Sequence, residues 1–223
     1  LDAGAAQMAN AITERGVEPG CRVMAQANKS VSAVMLYLGC LRAGAIYLPI
    51  NMAYTPAEVD YFLGDAKPTL AVCNAKSFKT FKNLSNKHDC PNILSLESDG
   101  SGSLWDAAQK ASKYHEVIPR GADDLAAILY TSGTTGRSKG AMLSHHNLAS
   151  NGLALHEIWG FRRGDVFLHS LPLYHVHGLF VALHCALLNG SRTLFLPHFD
   201  IAEVLKQLPR STVFMGVPTF YHR

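Results

Sequence analysis

The chain has no C-x-x-C pair and no closely spaced set of cysteines. Its five cysteines, Cys21, Cys40, Cys73, Cys90 and Cys185, are odd in number and lie far apart. This excludes a disulfide framework and a cysteine-based zinc site, and it reads as reduced thiols in a cytoplasmic type of compartment. No apolar run reaches the ~18 residues that a membrane-spanning helix needs. The opening residues, LDAGAAQMANAI, read as helix and lack the layout of a secretion signal. Neither sign of charge dominates: 20 Lys and Arg stand against 17 Asp and Glu, for a net charge of +3. The one basic cluster, Lys76 to Lys87, is interleaved with Phe78, Phe81 and Leu84. It reads as the solvated face of a helix, not as a nucleic-acid patch.

What the chain does have is apolar sequence in regular alternation. Hydrophobic residues make up 48% of 223 residues, enough to bury a substantial core in one large domain or two small ones. Ser30 is placed to cap a helix carrying Val31, Val34, Met35, Leu38 and Leu41 at helical spacing, and Gly44 ends it. AIYLPI (45–50) reads as a strand, and TPAEVDYFLGDA (55–66) as a helix with Pro56 in its first turn. TLAVC, NILSL, LAAILYT and GAMLSH read as further strands, with a helix over 104–112, and Ser144 is placed to cap another from about His145 to Trp159. DVFLHSL, RTLFLP and TVFMGV are later strands, separated by helices over 178–189 and 202–208. This order predicts a layered α/β fold with mostly parallel sheets. The Gly- and Ser-rich segment 97–103 reads as a surface loop and a dividing point between sub-lobes 1–100 and 101–223.

The strand LAAILYT runs into YTSGTTGRSKG (130–140), eleven residues dense in glycine, hydroxyls and cations. Gly133, Gly136 and Gly140 permit close backbone approach. Thr131, Ser132, Thr134, Thr135 and Ser138 offer hydroxyls, and Arg137 and Lys139 supply positive charge. Backbone amides, hydroxyls and cations together make a concave anion site. The spacing does not fit G-x-x-x-x-G-K-[ST], since Lys139 is followed by Gly140, and the chain leaves the loop in a strand. A plain glycine hairpin is the alternative reading.

A second cluster lies in LPLYHVHG (171–178). His175 and His177 alternate, so in extended geometry both would face one side. They read as core-edge histidines, as a metal pair with His184 as an outlying third, or as groups facing a ligand. Near the end of the chain, Pro218 can start a helix that would turn Arg223 toward the same cleft, unless that arginine is simply exposed.

YTSGTTGRSKG resembles the phosphate-binding signature of the adenylate-forming (AMP-binding) enzymes, among them the acyl-CoA synthetases. The resemblance continues through PINMAYTPAEVDYFLGDAKPTLAV, LPLYHVHG and GVPTF, and covers essentially the whole chain. It implies that residues 1–223 form part of the large N-terminal AMP-binding domain, with the C-terminal domain absent. It implies ATP and Mg²⁺ as cofactors, and a carboxylic acid and coenzyme A as small-molecule partners. Thr131, Ser132, Gly133, Thr134, Thr135, Gly136 and Lys139 would then hold the phosphates, with Thr131 also near Mg²⁺ and Lys139 acting in catalysis. His175 matches a position beside the reacting carboxylate. Relatives acting on fatty or aromatic acids carry an apolar or aromatic residue where this chain has His177. A histidine there, with Arg223 as a planar fork, suits a second carboxylate. YHVHGLF and MGVPTFYHR resemble most the malonyl-CoA synthetase branch, which implies malonate. The same resemblance leaves a mitochondrial home open beside the cytoplasmic one.

Overall fold

A computed structural model describes residues 1–131 and 137–222. Two compact units divide the chain, Leu1–His145 and His146–Arg223. The segment 97–103 lies within the first of them, between a strand and a helix, where Gly100 and Gly102 adopt positive φ.

The first unit is built on a six-stranded sheet. Its strands are β1 (Arg22–Gln26), β2 (Ile46–Pro49), β3 (Leu70–Cys73), β4 (Asn92–Ser95), β5 (Leu125–Thr131) and β6 (Lys139–Ser144), in the spatial order β4-β3-β1-β2-β5-β6. All neighbours are parallel except β5 and β6, which pair antiparallel. Strands β2 and β3 are buried at every position, as expected where helices cover both faces of a parallel sheet. Central strand β1 is the one element missing from the sequence reading above. It is short, and Arg22 and Gln26 cut its apolar run at both ends.

Helices α1 (Asp2–Thr13), α2 (Val31–Arg42), α3 (Pro56–Ala66), α4 (Ala75–Ser85) and α5 (Ser103–Lys110) connect and cover these strands. Ser30 caps α2 as expected, accepting from the Ala33 amide at 3.1 Å. Helices α1 and α2 cross closely because Gly39 has no side chain: a Cβ there would lie 2.8 Å from Met8 Cβ. On α4, Phe81 is buried while Lys76, Lys79 and Lys82 face outward, so the basic cluster is indeed a solvated helix face. Met24, Leu48, Phe62, Leu63 and Ala71 make the core between the sheet and helices α3 and α4. Cys40, Cys73, Cys90 and Cys185 are buried, Cys21 partly so, and all five are free.

The second unit holds a three-stranded parallel sheet, in the order β8 (Arg192–Phe195), β7 (Val166–His169), β9 (Val213–Phe214). Alternation along β7 feeds two small cores. Phe167 and Leu171 pack with Ala182 and Ala186, and Leu168 packs with Leu196 and Val204. Helix α6 (His145–Ile158) comes before this sheet. A π-helix (His177–Leu183) runs into α7 (His184–Asn189), and α8 (Ile201–Gln207) and α9 (Pro218–Tyr221) follow. Pro218 does start a helix, while Arg223 lies outside the described residues. Among the described residues, no helix is long and apolar enough to cross a membrane.

Helix α3 shows how local sequence fixes these boundaries. Thr55 Oγ1 accepts from the Glu58 amide, the Glu58 carboxylate accepts from the Thr55 amide, and Pro56 fills the first helical position. Thr55→Ala should therefore lower unfolding stability by about 1 kcal/mol, read as a shifted denaturant midpoint at unchanged slope.

Candidate active site

The signature YTSGTTGRSKG straddles β5 and β6. Thr131 and Lys139 are cross-strand partners, and Tyr130 pairs with Gly140 in the next register position. Thr131, Arg137 and Lys139 are exposed, so a hydroxyl and two cations stand in solvent at this end of the hairpin. Ser132, Gly133, Thr134, Thr135 and Gly136, named above as phosphate-binding, lie outside the described residues.

The ends of the hairpin are held by residues that no local motif points to. Tyr61 on α3 donates its hydroxyl to the Ser138 carbonyl at 2.9 Å. Tyr130 donates to the Asp65 carboxylate, also on α3, and its ring lies 4.3 Å from that of Phe62. Burial, reinforced by the bond to Asp65, pushes the Tyr130 phenol well above its ordinary pKa, so it stays a neutral donor. Gly140 is required by packing, since a Cβ there would sit 2.9 Å from Ile128 Cγ2. Only the apolar period of α3 hints at this brace, and that period does not say what the helix covers.

In the second unit, the histidine turn departs from the extended geometry expected of it. Residues 171–175 make a turn, Val176 is already helical at φ −44° and ψ −51°, and His177 begins the π-helix. Residues two apart in a helical turn diverge in direction. His175 is accordingly exposed and His177 half-buried. The local alternation is overridden by Gly178, whose missing side chain lets the helix start pack against the turn: a Cβ there would fall 1.9 Å from the Pro172 carbonyl oxygen. His175 and His177 nonetheless line one cavity of about 470 Å³, with Leu171, Tyr174, Val217 and Phe220 among its other walls. His177 also borders a second concavity of about 610 Å³ that carries Arg162, Asp165 and Tyr221. Partial burial lowers the His177 pKa, so its imidazole is mainly neutral at pH 7, able to donate at one nitrogen and accept at the other.

A third histidine, overlooked in the sequence, supports the turn. His169 at the end of β7 is fully buried, and its Nε2 donates to the Gly178 carbonyl at 2.8 Å. Its only sequence signal is a polar residue at an apolar register position, between Phe167 and Leu171. His184, the outlying third histidine of the metal reading, is on α7 and bonds the Leu148 backbone. Among the described residues no three His, Cys, Asp or Glu side chains form a metal cluster.

The signature YTSGTTGRSKG on a braced hairpin, in an α/β domain of this topology, places the chain in the AMP-binding class. The AMP-binding enzyme family model matches residues 1–223, and the chain belongs to that family. It is 33% identical over 208 residues to the mitochondrial malonate–CoA ligase of Mus musculus, covering 91% of this chain and 35% of that protein. It is 32% identical over 221 residues to the malonate–CoA ligase of Arabidopsis thaliana, covering 92% of this chain and 36% of that protein. Among solved structures, ATP-bound MatB from Rhodopseudomonas palustris superposes with a TM-score of 0.96 at 52% identity, over 100% of this chain and 44% of MatB. The chain thus spans about a third of these curated relatives, and the fold is that of the N-terminal domain of adenylate-forming enzymes.

Two outcomes follow for this site. Gly178→Ala should destabilise the protein by about 2 kcal/mol or more in chemical denaturation, because both clashing atoms are backbone. Burial pushes the His184 imidazole down to about 4. The unfolded chain, with an ordinary value near ~6.5, takes up the proton first, so acid favours unfolding. Stability should be intact above pH ~6.5 and fall by about 1–3 kcal/mol as pH drops toward about 4, measured by urea midpoints, with His184→Gln flattening the slope.

Proposed function

We propose that this chain is part of the N-terminal domain of an ATP-dependent acid–CoA ligase that activates malonate. The similarity to malonate–CoA ligases and to ATP-bound MatB, extending over the whole chain, carries this reading. In such a reaction the carboxylate attacks the α-phosphate of ATP, an acyl-adenylate and pyrophosphate form, and the thiol of coenzyme A then takes the acyl group with release of AMP.

The residues fit parts of that sequence. Phosphoryl transfer needs positioning and positive charge more than covalent help from the protein. Lys139 and Thr131, paired across the ladder and exposed, would meet phosphate oxygens. Mg²⁺, which prefers phosphate oxygens and water, would neutralise phosphate charge and need little beyond the Thr131 hydroxyl. His175 and His177 line the acid cavity, whose other walls are mostly apolar. One ring would meet the reacting carboxylate. His177, with Arg223, would meet the second carboxylate, which distinguishes a dicarboxylic acid from a fatty acid.

The test is ATP–pyrophosphate exchange by the complete natural protein with malonate, acetate and a long-chain fatty acid. Exchange that requires malonate supports the reading. Exchange with acetate or the fatty acid alone keeps the ligase and removes the dicarboxylate pocket. No exchange with any acid leaves a nucleotide-binding protein without this chemistry. His177→Phe should raise the KM for malonate roughly 10- to 100-fold while leaving the KM for ATP in place, the loss expected for one hydrogen bond to a charged group. Lys139→Ala should instead lower kcat by roughly 10²- to 10³-fold.

A further inference from the structure

The turn that carries His175 and His177 is anchored to the sheet through one buried side chain. Strand β7 ends at His169, and the chain returns nine residues later at Gly178, the second residue of the π-helix. His169 shares its face of β7 with Phe167 and Leu171, and both of these pack into an apolar core. Its ring meets Phe167 edge-on at 5.5 Å and Phe195, its ladder partner on β8, at 5.2 Å. A polar ring is costly to bury there unless it is hydrogen-bonded. A carbonyl can only accept, so Nε2 carries the hydrogen that reaches Gly178.

Three bonds then form a chain from sheet to turn. The Leu196 amide donates to the His169 carbonyl at 3.0 Å, His169 Nε2 donates to the Gly178 carbonyl, and the Leu179 amide donates to the His175 carbonyl at 3.0 Å. Gly178 also packs close against the Pro172 carbonyl, leaving no room for a side chain. The Gly178–Leu179 peptide is therefore held at both its groups, its carbonyl by His169 and its amide by the His175 carbonyl, one residue beyond His177. A leucine would fill the same apolar space but would leave the Gly178 carbonyl without this donor.

We propose that His169 is the positioning residue of the histidine turn: its Nε2–H holds the Gly178 carbonyl, fixes the first turn of the π-helix and so aims His177 into the cavity it shares with His175. This rests on the reading of that cavity as the acid site, and the test separates the two. In the complete natural protein, His169→Leu removes the donor at similar volume, and His169→Gln keeps an amide N–H at nearly the same reach. The Leu variant should raise the KM for the acid roughly ten- to hundred-fold, with the KM for ATP changed less than about twofold, and Gln should restore most of the loss. Ring NMR of His177 gives a readout independent of the reaction. In the Leu variant its titration midpoint should move up toward the ordinary ~6.5 as the turn loosens, and in the Gln variant it should stay low. Equal changes in both KM values, Gln no better than Leu, or unchanged His177 signals in a folded Leu variant would overturn the assignment. Wild-type protein without acid-dependent exchange would instead remove the functional reading, and the NMR comparison would still decide the role of His169.

Discussion

The contact of Tyr130 with Phe62 is where helix α3 meets the strand that leads into the phosphate signature. Everything at this end of the first unit leans on it. Strand β5 is held to β2 at the single register pair Tyr47–Ala127, so the ladder on that side supplies little. Its rigidity comes from β6 on the other side and from α3 beneath, through aromatic packing and through the Tyr61 and Tyr130 hydroxyls. A loop rich in glycine and hydroxyls is an entropic liability unless its ends are fixed. Here they are fixed by residues about 65 to 77 positions earlier in the chain.

The helices and most strands were legible because their signals are local. Capping at Ser30, Pro56 at a first turn and the apolar runs of β2, β3 and β5 each announce a boundary within a few residues. Strand β1 was not, because its polar ends hide a segment whose burial comes from β2 and β3 on either side. The histidine turn misled for a related reason. His-x-His alternates like a strand, but the close approach of Gly178 to Pro172 decides its backbone, and that contact is invisible in a periodicity. Of the candidate site, the signature and the two histidines were readable. Tyr61, Asp65 and His169 were not, because each acts through a partner placed by the fold.

The two candidate clusters use different means to the same end. The hairpin presents an exposed hydroxyl and two exposed cations beside braced strands, which would suit a ligand whose negative charge is spread over many oxygens. The turn presents the half-buried His177 imidazole, its pKa lowered by burial, beside the exposed His175 in a mostly apolar cavity, where a single hydrogen bond discriminates strongly.

The buried thiols acquire a further meaning in that setting. Burial pushes Cys73 up to about 12 and Cys90 up to about 11, and it raises Cys40 and Cys185 as well. Thiolates are the form that attacks activated acyl groups, and these four sulfurs are neither ionised near neutral pH nor within reach. Under the function proposed above, an acyl-adenylate would be a hazard to any thiolate of the protein within its reach. The packing of this chain leaves Cys21 as its one partly exposed sulfur, so the core that stabilises the fold would also withhold the other four thiols from such an acylation.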